Sequence, residues 1–184
     1  MGNPFSNLTI GKKSQIIMLG FDYSGKTTIL HKLKLGNIEY LVPNIGFNIE
    51  KLRTQQFEII SWDVGGADKI RIIWKPYYQN GKGLIYVIDC SDRERMAEVI
   101  GELYKLMLDP ILNGLPLLIY ANKQDLMKLN SEELASEIMM EKISKNCYIQ
   151  PCCAITGEGL EDGLKWIFSF KKVLKIEENQ PTTI

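Results

Sequence analysis

The chain has 184 residues, which fits one domain, and a domain of this size buries about 70% of its unfolded surface without needing a disulfide or structural metal. An apolar fraction of 45%, a charged fraction of 24% and 22 basic against 22 acidic residues exclude a largely disordered chain, and the zero net charge argues against a nucleic-acid binder. The 4 cysteines form no Cys-x-x-Cys pair and there is 1 histidine, a composition that suits buried, reduced thiols better than zinc ligands.

In chain order, short apolar runs alternate with helical segments. Residues 15–19 read as a buried strand, and 26–35 as a helix with Ile29, Leu30 and Leu33 on one face. Residues 47–52 and 57–63 alternate apolar and polar around Gln55-Gln56, the pattern of a hairpin. Residues 84–90 form a strand-sized apolar run. Residues 94–108 are helical, with Met96, Val99, Leu103, Leu106 and Met107 near one face. A strand over 115–121, a helix over 131–143 opened by Ser131, a strand over 147–153 and a helix over 160–174 complete the series. No apolar run approaches the ~20 residues that span a bilayer, and the first residues lack the basic end and apolar block of a secretory signal. This alternation predicts an α/β fold: a mostly parallel, six-stranded sheet with one antiparallel edge strand and helices on both faces. Ligands of such sheets bind beyond the carboxyl ends of the strands.

The residues after the first strand, Gly20-Phe21-Asp22-Tyr23-Ser24-Gly25-Lys26-Thr27, fit G-x-x-x-x-G-K-[ST] between a strand and a helix. The glycines allow a tight turn whose backbone N–H groups face phosphates, and the following helix adds its positive end. Lys26 is placed to reach β- and γ-phosphates, and the Thr27 hydroxyl to ligate Mg²⁺. Asn122-Lys123-Gln124-Asp125 follows the strand over 115–121. A carboxylate there accepts from guanine N1–H and the exocyclic amine beside it, positions at which adenine offers an acceptor or nothing, so a mismatch leaves buried polar groups unpaired. Lys123 would lie over the base plane. Ala154, after the last strand, could offer its N–H to guanine O6. Asp63 in Trp62-Asp63-Val64-Gly65-Gly66 is placed to hold Mg²⁺ through water, and Gly66 to give its N–H to a γ-phosphate. The nucleotide contacts expected are Gly20, Asp22, Ser24, Gly25, Lys26, Thr27, Thr28, Gly66, Asn122, Lys123, Asp125, Cys153 and Ala154.

These segments, in this order, resemble the Ras-like GTPases. Pro43-Asn44-Ile45-Gly46-Phe47-Asn48, and Trp62 to Gly66 followed by Asp68-Lys69-Ile70-Arg71, are similar to the two switch segments of ADP-ribosylation factors (Arf) and Arf-like proteins. Met1-Gly2-Asn3 and Cys153-Ala154 agree. The resemblance implies a P-loop G-domain that binds GTP or GDP with Mg²⁺. It implies exchange-factor, GTPase-activating and effector partners, no nucleic acid, and a monomer, cytoplasmic and peripheral on Golgi or other endomembranes. It also implies that Phe47, Trp62 and Tyr77 form an aromatic patch read by partners, with core packing as the alternative for each. Residues 1–14 would be an N-terminal segment, 15–175 the G-domain and 176–184 a frayed tail.

Two positions depart from the family pattern. Ala67 stands where the family has the glutamine that orients the attacking water, so the catalytic set reduces to Lys26 and an empty role at Ala67. A methyl group makes no hydrogen bond, and loss of such a group typically costs roughly 10²–10⁴ in rate. Intrinsic hydrolysis is therefore expected to be very weak, and the alternative is a GTP-binding scaffold that does not cycle. Asn44 stands where the family has a Mg²⁺-ligating threonine; its side-chain carbonyl is an acceptable hard ligand, giving the expected metal set Thr27, Asn44 and Asp63. The start fits M-G-x-x-x-[ST], which makes Gly2 a myristoylation site, and one acyl chain needs a second signal for stable membrane binding.

Overall fold

A computed structural model describes residues 14–33, 37–41, 49–54, 57–63, 80–126, 131–138 and 146–170. Along the chain come β1 (Ser14–Gly20), α1 (Lys26–Leu33), β2 (Asn37–Leu41), β3 (Ile49–Arg53), β4 (Phe57–Asp63) and β5 (Gly81–Asp89). They are followed by α2 (Met96–Met107), β6 (Leu117–Asn122), α3 (Ser131–Ile138), β7 (Cys147–Pro151) and α4 (Leu160–Phe168). The strands form one sheet in the order β2-β3-β4-β1-β5-β6-β7. Strands β4, β1, β5, β6 and β7 run parallel, while β3 is antiparallel to both β2 and β4.

The α/β class and the single reversed strand are as the sequence predicts. The sheet has seven strands rather than six, because β2 pairs outside β3 from Asn37↔Arg53 to Leu41↔Ile49. The reversed strand is therefore second from the edge. Asn37-Ile38-Glu39-Tyr40-Leu41 is too short and too mixed to announce a strand by itself; pairing along β3 organises it.

Strands in the middle of a parallel sheet are covered on both faces, which is why β1, β5 and β6 are continuous apolar runs. Ile16, Ile17, Met18 and Leu19 are each 0% exposed. Ile17 and Leu19 pack with Leu84, Tyr86 and Ile119 against Val99 and Leu103 of α2 and Leu134 of α3. Ile16 and Met18 pack with Ile85, Val87 and Tyr120 against Ile29 and Leu30 of α1 and Leu164 and Ile167 of α4. The period-2 alternation of the strands thus splits the core into two layers.

Two buried tyrosines tie helices to the sheet. The Tyr86 hydroxyl donates to Val99 O in α2 at 2.9 Å, and the Tyr120 hydroxyl to Leu160 O in α4 at 2.6 Å. Helix α4 sits so close that a Cβ on Gly163 would stand 2.6 Å from the Tyr120 ring. Its described run closes at Phe168, where the Ser169 hydroxyl donates to Trp166 O at 2.6 Å, and the expected continuation over 171–174 lies outside the described residues. Helix α2 starts at Met96 rather than at 94, after a turn in which Asp92 Oδ1 accepts from Arg95 N–H. The parts of the expected helices over 34–35 and 139–143 lie outside the described residues. All four cysteines are free thiols, three of them buried, as the composition suggests.

Parallel pairing brings the carboxyl ends of five strands to one end of the sheet. Gly20 lies beside Asp63, Asp89 beside Asn122, and Ala121 beside Pro151. Every motif singled out in the described sequence falls at this end.

Candidate functional site

The loop from Gly20 to α1 turns through two left-handed residues, Tyr23 at φ 60° and Gly25 at φ 99°. Ser24 N–H donates back to Phe21 O at 3.3 Å, and Ile29 N–H to Gly25 O at 2.9 Å opens the helical ladder. Gly25 is required twice over: its φ disfavours a side chain, and a Cβ there would overlap Asn122 Nδ2.

Lys26 is 5% exposed. Its ammonium donates to Phe21 O at 2.6 Å, Gly20 O at 3.0 Å and Ser24 Oγ at 3.3 Å, and pairs with Asp63 Oδ1 at 2.5 Å. Burial pushes its pKa down, against the opposing pull of the Asp63 carboxylate. The cation is thus wrapped by the loop and by the end of β4, where an anion would meet it already desolvated. Next to it the Thr27 hydroxyl donates to Glu50 Oε1 at 2.7 Å. Thr27, Asp63 and Glu50 are hard oxygen donors, the class that Mg²⁺ takes. Thr27 and Asp63 line the same cavity, so the residues present fit the expected ion.

At the end of β6, Asn122 is 1% exposed and braces three segments. Its Nδ2 donates to Ser24 O at 2.8 Å, and its Oδ1 accepts from Ala154 N–H at 3.0 Å and from the Cys152 thiol at 3.7 Å. Asn122, expected to read a base, joins the Gly20–Thr27 loop to the loop after β7 through its amide. The Ala154 N–H, expected to meet guanine O6, is engaged with Asn122, so a base bound here would share it. Lys123 adopts φ 65° and pairs with Asp89 Oδ2 at 2.6 Å. The Cys153 thiol donates to Asp125 Oδ1 at 3.3 Å, orienting that carboxylate.

These groups enclose one cavity of about 660 Å³. Its lining comes from the loop before α1 and its first turn (Asp22, Tyr23, Gly25, Lys26, Thr27, Thr28), from Asp63 at the end of β4, and from the segments that follow β6 and β7 (Asn122, Lys123, Asp125, Leu126, Ala154, Ile155). Such a volume lies in the range of a small-molecule or cofactor site. Gly20, Ser24 and Cys153 border it through the hydrogen bonds above.

Trp62 takes its core alternative: it is 2% exposed and packs with Ile17, Leu19 and Ile49, so its ring does not present an exposed patch. Gly2, Asn44, Phe47, Gly66, Ala67 and Tyr77 lie outside the described residues. Three site residues escaped the sequence reading. Glu50 holds Thr27, Asp89 holds Lys123, and Arg95 binds Asp22 Oδ1 at 2.8 Å. Asp89 carried a signal, an acid ending an apolar strand at the ligand end of the sheet; Glu50 and Arg95 carried none.

A family model described as the ADP-ribosylation factor family matches residues 1–170, a span that includes every site residue above.

Proposed function

The chain belongs to the ADP-ribosylation factor family of small GTPases, guanine-nucleotide switches that work at membranes with exchange factors, activating proteins and effectors, and we propose that this member binds GTP and GDP with Mg²⁺ but hydrolyses GTP very slowly. The observation that carries nucleotide binding is the shared cavity. Lys26 and Thr27 line it together with Lys123 and Asp125, and Asn122 ties the loop of the first pair to the loop after β7.

In this reading the Lys26 ammonium, held by loop carbonyls, turns toward β- and γ-phosphate oxygens as they enter. Thr27 and Asp63, with Asn44, would hold Mg²⁺, which would supply positive charge against the phosphates. Asp125 accepts from the guanine edge, and Cys153 keeps its carboxylate turned by the bond at 3.3 Å. Lys123, held by Asp89, covers the base. Adenine leaves Asp125 without donors, and this is the source of base selectivity. Slow hydrolysis rests on Ala67, whose methyl group cannot orient a water. Asn44 weakens the grip on Mg²⁺ relative to a hydroxyl ligand, because its carbonyl is carried on a longer side chain.

Gly2 takes a myristoyl group, and the protein is a monomer, peripheral on endomembranes and used in vesicle traffic. No helix among the described residues is long and apolar enough to cross a membrane. Ala67 also favours a second reading, a GTP-bound scaffold that does not cycle and acts through protein contacts alone.

Single-turnover GTP hydrolysis of the wild type beside Ala67→Gln tests the proposal. The expected result is hydrolysis near the detection limit in the wild type and a gain of roughly 10²-fold or more with glutamine. Equal rates would show that another group positions the water.

A further inference from the structure

The loop that would hold the phosphates carries one carboxylate of its own. Asp22 is the single acidic residue between Gly20 and Thr27, it lines the cavity, and its side chain is half-exposed. A carboxylate there adds negative charge to a site built for anions, against the logic of the rest of the loop. Arg95 answers it. The guanidinium stands just before α2, 73 positions along the chain, and its NH1 donates to Asp22 Oδ1 at 2.8 Å. Its Nε donates to Asp92 Oδ2 at 2.6 Å, which fixes the side chain from its own element. Its Cζ also lies 5.9 Å from the centroid of the Phe21 ring, so the loop holds it at two consecutive residues. A planar, permanently charged fork is the group suited to bridge two carboxylates in this way.

Resting on the nucleotide reading above, we propose that Arg95 is a positioning residue of the nucleotide site, which holds and neutralises Asp22 so that the loop accepts a triphosphate. The pair is solvent-accessible, so its direct worth to folding is small. Its effect is on the field at the phosphates. Without Arg95 the Asp22 charge turns against every bound phosphate, and a triphosphate, carrying one more negative charge than a diphosphate, suffers more. Arg95 therefore biases the site toward GTP without touching it.

The test measures GDP and GTP affinities of the full chain by displacement of a fluorescent guanine nucleotide, at low and at high salt. Wild type, Arg95→Gln, Arg95→Lys and the double variant Arg95→Gln/Asp22→Asn are compared. Arg95→Gln is expected to weaken GTP by roughly 10-fold and GDP by roughly 3-fold, with the gap narrowing at high salt. Arg95→Lys keeps most of the wild-type ratio. The double variant returns the GTP:GDP ratio to within about 2-fold of wild type, because removing both charges removes the repulsion. A double variant as impaired as Arg95→Gln, or equal weakening of GDP and GTP at both salts, would show that Arg95 merely anchors the start of α2 and would overturn the proposal. A wild-type chain that binds neither nucleotide would overturn the nucleotide reading itself, and that result is read before any variant is compared.

Discussion

Replacing Asn122 with alanine should destabilise the nucleotide-free protein, because this side chain braces the fold as well as facing the cavity. Asn122 is 1% exposed, and its two amide ends meet Ser24 O at 2.8 Å and Ala154 N–H at 3.0 Å. Ser24 is 2% exposed and Ala154 5%, so both partners are also withdrawn from water. Each orphaned buried group costs ~1–3 kcal/mol; water entering the vacated volume recovers part of this, leaving about 2–4 kcal/mol in total. For a domain of this size that corresponds to a fall in Tm of roughly 5–15 °C. The assay is urea and thermal unfolding of nucleotide-stripped wild type, Asn122→Ala and Asn122→Asp. The aspartate keeps an acceptor for Ala154 N–H but sets a carboxylate oxygen against the Ser24 carbonyl, so at neutral pH it should be no more stable than the alanine variant. An alanine variant within about 0.5 kcal/mol of wild type without nucleotide would refute the brace and leave Asn122 a base contact only.

Gly25→Ala should lower stability by at least about 1 kcal/mol in the same unfolding assay, since a left-handed φ and the overlap with Asn122 Nδ2 both oppose a side chain. Burial pushes the Cys90 and Cys147 thiols up to about 12 from 9.0. Below pH 9 each is protonated folded and unfolded. Between pH 9 and 12 only the unfolded chain ionises, so stability falls by about 1.4 kcal/mol per pH unit and thiol. Since each unfolded thiol is already half ionised at pH 9, Cys90→Ala/Cys147→Ala should lose about 2 kcal/mol less than wild type between pH 9 and pH 10 in urea unfolding. Lys26→Ala should weaken GTP binding by roughly 100-fold or more in nucleotide displacement, since it removes the buried cation that the proposed function turns toward the phosphates.

The parts of the site legible in the sequence are those where the backbone or the ligand dictates the residue. A left-handed turn under a neighbouring side chain demands Gly25, and a desolvated cation at a loop demands Lys26, so the motif and its chemistry appear together. What stayed hidden was pairing across distance. Asn122 and Ser24 are 98 positions apart and Arg95 and Asp22 73, and no local pattern marks either bond. Residues such as Asn122 also carry more than one role: the sequence points to its chemistry, while the geometry shows its amide joining two loops. In the fold, the parallel strands were legible because burial on both faces makes them uniformly apolar. Strand β2 was not, because its five mixed residues take their order from β3. The start of α2 moved for a similar reason, being set by a bond of Asp92 that competes with the apolar periodicity.

The central claim, that the cavity selects a guanine nucleotide, is tested most directly by competition against fluorescent GDP bound to the purified full chain. Unlabelled GDP and GTP should displace it at comparable concentrations, while ATP should need roughly 10⁴-fold more, and Asp125→Ala should erase most of that gap. Displacement by ATP within about 10-fold of GDP would contradict the assignment of Asp125 and with it the guanine site.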